Sequence, residues 1–163
     1  MQTTMQNRIC MITGATSGMG KATASALAQM GATVILVARN QSKGEVVRDE
    51  IRAQSGNRNV EMMLADLSSQ QAIRDLVKNF QQSYQHLHVL INNAGGIFFR
   101  RETTADGLEM TFAVNHLAPF LLTNLLLDTM KASAPASIIN ISSSLERIGT
   151  INLDDLQSKK RYI

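Results

Sequence analysis

The sequence predicts a doubly wound α/β domain, a parallel sheet with helices on both faces. Three observations carry that prediction. Short apolar runs and helical patterns alternate strictly, five times, with short connections between them. The runs are rich in Val, Ile and Leu, the composition of strands buried on both faces. The first run breaks at once into a glycine-spaced turn, Gly14, Gly18 and Gly20, from which a helical pattern starts.

Taken in order, Ile9-Cys10-Met11-Ile12 is the first strand. The helix after the glycine turn repeats small and apolar residues at Ala22, Ala26, Leu27 and Met30, a face suited to lying close on a sheet, and Gly31 stops it. Thr33 to Ala38 is a continuous strand run. Residues Gln41 to Gln54 form a charged helix with Val46, Val47 and Ile51 on its apolar stripe, ending near Ser55-Gly56. Val60 to Ala65 is the third strand. Ser68 is the expected N-cap of a helix through Ile73, Leu76, Val77 and Phe80. Val89-Leu90-Ile91 is the fourth strand, a helical region runs from Thr104 to Ala132, and Ser137 to Ile141 is the fifth strand. No repeat or linker divides residues 1–163, so one Rossmann-type domain of three layers, α/β/α, is expected.

Composition narrows the function classes. Apolar residues at 44% and charged residues at 18% describe a packed chain rather than a disordered one. The net charge of +3 comes from scattered Lys and Arg, not from a basic stripe, which argues against a nucleic-acid partner. Cys10 is the only cysteine and sits inside a strand run, so it reads as a buried thiol in a reducing, cytoplasmic setting. The first residues contain no apolar signal region. The greasiest segment, Phe112 to Leu127, is broken by Asn115, His116, Pro119 and Asn124 and reads as a buried helix rather than a membrane span. His86, His88 and His116 lack metal-ligand spacing, so no metal is expected.

The glycine turn has its own chemistry. Glycines let a backbone approach an anion closely, and a helix start offers unpaired N–H groups at a positive dipole end. Gly14, Ser17, Gly18, Met19 and Gly20 therefore form the expected pyrophosphate seat. In a parallel sheet of this kind, ligands collect at the carboxyl ends of the strands.

Read together, Thr13-Gly14 with Gly18 and Gly20, Asp66-Leu67, Asn92-Asn93-Ala94-Gly95, Asn115 and Asn140-Ile141-Ser142-Ser143 resemble the short-chain dehydrogenase/reductase family. The resemblance covers residues 8–163 and is strongest to its retinol-dehydrogenase-like branch, through Val114 to Thr123 and Asp154 to Tyr162. It implies a nicotinamide cofactor and oxidoreduction of a carbonyl/alcohol pair. It sets Asp66 against the adenine edge, with an N-cap or turn carboxylate as the alternative, and makes Leu67 a cofactor-binding residue. It has the turn that starts at Asn92 line the cofactor ribose and brace the central strands, with Asn92, Ala94 and Gly95 as cofactor-binding residues and a purely structural turn as the alternative. It makes Ser143 the residue that hydrogen-bonds the substrate oxygen, and Asn115 the organiser of a water on the proton path.

Cofactor choice turns on the second strand's end, Val37-Ala38-Arg39-Asn40, where no acid stands to hold a ribose hydroxyl pair. Arg39 can fork onto a 2′-phosphate, and the alternative is a solvated strand-end arginine. The expected cofactor is NADP(H).

The family's Tyr-x-x-x-Lys does not occur. Tyr84 is followed by Gln85-His86-Leu87-His88, and Tyr162 falls in a segment, residues 145–163, that resembles the extended loop ahead of the catalytic helix. Residues 1–163 are therefore expected to be the N-terminal part of a longer reductase, forming a homo-oligomer only with the further helices. A catalytically inactive NADP(H)-binding module is the alternative reading.

Overall fold

The computed structural model describes residues 4–162, with the backbone alone at 145 and 146. Five strands form one parallel sheet: β1 (Ile9–Thr13), β2 (Thr33–Ala38), β3 (Val60–Leu64), β4 (Val89–Asn92) and β5 (Ser137–Asn140). Their order across the sheet is β3-β2-β1-β4-β5. The chain builds outward from β1 to β3, then crosses back to lay β4 on the other side of β1.

Side chains alternate across a strand, and the pleat sorts the core into two layers. Cys10, Ile12, Val34, Leu36 and Ile91 point to the side covered by α1 (Gly18–Gln29) and α2 (Gln41–Ser55). Met11, Ile35, Val37 and Leu90 point to the other side. There α3 (Gln70–Ser83) and the long helix α5 (Ala118–Ala132) supply Ile73, Leu76, Phe80, Leu122 and Leu126. The predicted three-layer α/β/α arrangement of five parallel strands is therefore what forms.

Several local expectations need correction. The buried face of α1 is Gly20, Ala24 and Ala28, whereas Ala22 and Ala26 are exposed. Only the i, i+4, i+8 row that starts at the glycine turn can lie flat on the sheet. On α2, Val47 and Ile51 are buried but Val46 is 57% exposed. The cap of α3 is Ser69, not Ser68, and its hydroxyl accepts from the Ala72 N–H at 3.3 Å. The Asp66 carboxylate accepts from the Ser68 N–H at 2.9 Å, and that turn delays the helix by one residue.

The helical region begins at Met110 rather than Thr104. The Thr104 hydroxyl accepts from the Asp106 and Leu108 N–H groups, closing a turn, and a bridge joins Thr103 to Glu109. Glu109 is buried and caps the first helical turn, α4 (Met110–Phe112), its two carboxylate oxygens accepting from Thr111 N at 2.8 Å and Phe112 N at 2.7 Å. A π-helical turn, Ala113–Leu117, then leads into α5. By length and composition the run Met110–Ala132 could cross a membrane, with a mean hydropathy of 1.4. Here its Ala118, Leu122, Leu126 and Met130 stripe packs into the core beside α3.

Candidate functional site

A cleft of about 520 Å³ runs across the carboxyl ends of β3, β2, β1 and β4, where the chain's path reverses. The loop after β1 contributes Gly14, Ser17, Met19 and Gly20 to it. The ends of β2 and β3 contribute Arg39, Asp66 and Leu67, and the segment after β4 contributes Asn93, Ala94 and Gly95 and runs on to Phe98.

The glycine loop is held to the β4 segment by two side chains, the Thr13 hydroxyl and the Asn93 amide. The Thr13 hydroxyl accepts from the N–H groups of Asn93 and Ala94, each at 3.0 Å. In return the Asn93 amide donates to the carbonyls of Thr13 at 2.9 Å and Gly14 at 3.2 Å. Gly14 has φ +65°, and a Cβ on it would stand 2.8 Å from the Ala94 Cα. A Cβ on Gly20 would stand 2.4 Å from the Gly14 carbonyl oxygen. Both positions therefore need glycine for close approach, and Gly14 needs it for backbone conformation as well.

At the start of α1, Ser17 occupies the cap position with no side-chain capping bond, and no acid lies in the first turn. The helices α2 and α3 are capped by Asn40 and Ser69. The helix that opens onto the cleft is thus left with its first N–H groups unanswered by a side chain among the described residues, an arrangement that favours an anion. Gly18 belongs to this turn with φ +53° but does not line the cleft.

Arg39 is exposed at the edge of the cleft, and its side chain makes no hydrogen bond or ion pair among the described residues. Asp66 lines the same end while its carboxylate closes the turn to Ser68. The turn-carboxylate alternative is therefore realised, in a residue that also faces the cleft.

Asn92 does not line the cleft. It is buried, and its amide donates to the Thr123 hydroxyl at 3.1 Å and to the Asn140 side chain at 2.8 Å, bracing β4 against α5 and β5. Its Oδ1 has no partner among the described residues. Turning the amide over would only exchange which end is orphaned. The cleft wall at this level is the next residue, Asn93, which the sequence reading passed over although it lies within the quoted motif.

Asn115 falls in the π-helical turn, a form often found at functional sites. Its Oδ1 accepts from the Gly96 N–H and its Nδ2 donates to the Gly96 carbonyl, both at 2.9 Å. The amide acts on the cleft through the position of Gly96, which lines it. Ser143 stands exposed just beyond β5 and outside the cleft lining.

Neither tyrosine faces the cleft. Tyr84 is stacked on Phe80 at 5.2 Å, and burial, with a hydrogen bond to Glu61, pushes its phenol above the ordinary range. Tyr162 donates to the Phe98 carbonyl at 2.5 Å. Cys10 is fully buried, and that burial pushes its thiol up to about 11, so it is inert. Thr16, Ile97, Phe98 and Val114 also line the cleft and carried no pattern in the sequence that marks a site.

The family model for short chain dehydrogenases matches residues 8–154. The chain belongs to that family. Human retinol dehydrogenase 11 is 46% identical over 158 residues, covering 97% of this chain and 50% of its own length. The chain thus spans about half the length of the curated relatives it matches. A crystal structure of a protein from Mycobacterium paratuberculosis is similar with a TM-score of 0.83 at 34% identity, covering 98% of this chain and 55% of that one. A metagenomic short-chain oxidoreductase, solved in complex with NADP, is similar with a TM-score of 0.76 at 34% identity, covering 85% of this chain and 63% of that one. Within the short-chain dehydrogenase family this chain is retinol-dehydrogenase-like.

Proposed function

We propose that the chain binds NADP(H) in the cleft at the carboxyl ends of the strands. The observation that carries this reading is Arg39: a guanidinium without a partner among the described residues, at the cleft edge, after a strand whose end offers no carboxylate. The cradle fits a dinucleotide. Gly14 and Gly20 leave no room for a Cβ, and the uncapped start of α1 suits a pyrophosphate. Gly14, Ser17, Met19 and Gly20 would hold the pyrophosphate on the turn that Gly18 shapes, Arg39 the 2′-phosphate, Asp66 and Leu67 the adenine, and Ala94 and Gly95 the ribose, with Asn92 bracing the strand behind them. Bound there, the cofactor supplies a hydride, so the protein need only orient groups and move a proton.

For the whole protein we propose oxidoreduction of a carbonyl/alcohol pair on a small molecule, in a cytoplasmic setting compatible with the single buried thiol. In that reaction Ser143 hydrogen-bonds the substrate oxygen, and Asn115 fixes the wall at Gly96. Tyr-x-x-x-Lys, which carries the proton in this family, does not occur in residues 1–163. The second reading is a module that binds NADP(H) without turning over.

Titrating NADPH and NADH against the purified chain tests the binding. Arg39 pairing with a 2′-phosphate is worth about tenfold in affinity or more, a preference that Arg39→Ala should erase. Equal affinities for the two cofactors before mutation would sink the 2′-phosphate assignment. Aldehyde reduction measured with the same chain and NADPH would remove the second reading.

A further inference from the structure

The outer wall of the cleft, Gly96, Ile97 and Phe98, belongs to no strand or helix. It is held at two points. At its inner end the Asn115 amide grips both backbone groups of Gly96. At its outer end the Tyr162 hydroxyl donates to the Phe98 carbonyl at 2.5 Å. With its one proton placed there, the hydroxyl oxygen accepts from Thr111 Oγ1 at 3.1 Å and stands 3.4 Å from Glu109 Oε1.

The anchor behind this contact is rigid. Glu109 is buried and fixed by its two capping bonds. Gln157 ties the same two segments together a second time. Its Oε1 accepts from Glu109 N at 2.7 Å, and its carbonyl accepts from Arg101 Nε at 3.0 Å. Among the described residues, the hydrogen bond of Tyr162 to Phe98 is the only one that joins residue 157 or 162 to a residue lining the cleft.

We propose that Tyr162 is a positioning residue for this site: by pinning the Phe98 carbonyl it sets the wall at Gly96, Ile97 and Phe98, and so tunes the affinity for a ligand long enough to reach that wall. The inference rests on the nucleotide reading above and adds a residue that lies outside the cleft. The sheet order puts the wall at the β4 end, whereas Arg39 and Asp66 lie at the β2 and β3 end. A ligand confined to the latter end should not feel the clasp.

The test compares NADPH with adenosine 2′,5′-bisphosphate, which is too short to span the cleft, on the wild-type chain and on Tyr162→Phe. The variant keeps the ring and loses the hydroxyl. One lost hydrogen bond of ordinary strength corresponds to about three- to tenfold weaker NADPH binding, with bisphosphate affinity held within about twofold. Gln157→Ala cuts the second tie and should shift NADPH in the same direction, and it carries the test if Tyr162→Phe does not fold. Unchanged NADPH affinity, or equal weakening of both ligands, overturns the inference and leaves the nucleotide reading standing. A wild-type chain that binds neither ligand removes the nucleotide reading and the inference together.

Discussion

The strands β2 and β5 read alike in sequence and end up in opposite surroundings. Each is a short run with β-branched apolar residues at its centre, and each pairs in parallel. In β2, Val34, Ile35 and Leu36 are fully buried. In β5, Ile138 is 39% and Ile139 44% exposed. The difference is position alone. β2 lies between β1 and β3 with helices over both faces, and β5 is an edge strand hydrogen-bonded only to β4. A run of β-branched residues announces a strand suited to burial, and the rest of the sheet decides whether burial follows. Beyond β5 the same openness continues, with Ile148 and Ile151 each 80% exposed.

Substitution should break the likeness of the two strands outright. Ile35→Ala removes a fully buried side chain and is expected to cost about 2–5 kcal/mol, against less than about 1 kcal/mol for Ile139→Ala, by urea denaturation. Comparable losses at both positions would mean that β5 is covered in solution. The loop after β1, the strand beside β2, and the segment after β5 should differ next most. Gly14→Ala forces a positive φ and a contact with Ala94, a strain of about 1–3 kcal/mol, and should abolish nucleotide binding. Ile148→Ser, in the open segment, should stay within about 0.5 kcal/mol of wild type.

The smallest effect should come from His88, which joins β1, the neighbour of β2, to β5. Its Nδ1 accepts from Ile9 N at 3.0 Å, at the start of β1, and its carbonyl accepts from Ser137 N at 2.8 Å, at the start of β5. Desolvation lowers its pKa below the ordinary 6.5, with Arg8 and His86 adding to the effect. Between the folded and unfolded values the unfolded chain binds the extra proton, so stability rises with pH there. The contribution is complete above about 6.5 and is lost as pH falls through the folded value. His88→Gln should flatten that part of a stability–pH curve. An unaltered slope would show that the ring does not titrate with folding.

The fold was legible because its signals are local. Apolar runs, helical spacing and glycine at the first turn each need only neighbouring residues. The misreadings share another cause. Ala22 and Ala26 have helical spacing as good as Ala24 and Ala28, and only contact with the sheet chooses the row. Ser68 is as good a cap as Ser69 until the Asp66 carboxylate takes its N–H. The helical reading from Thr104 failed because the Thr104 hydroxyl and Glu109 carboxylate build a turn and a cap that apolar periodicity does not register. Within the site, backbone-forming residues such as Gly14 and Gly20 were visible through their type. The wall at Gly96 and Phe98 was not, because its hydrogen-bond partners, Asn115 and Tyr162, stand 19 and 64 residues away.

The Thr13 hydroxyl, between the two central loops, has a consequence for how a ligand would be received. By accepting from Asn93 and Ala94 it makes the turn after β1 and the turn after β4 a single preorganised floor. An ordering cost of about 0.5–1.5 kcal/mol for each mobile side chain frozen on binding does not arise at that floor. It falls instead on the ligand and on exposed side chains at its margin, Arg39 and Met19. Encounter at the floor should therefore be a rigid docking event, with those side chains giving up conformational freedom when the ligand arrives.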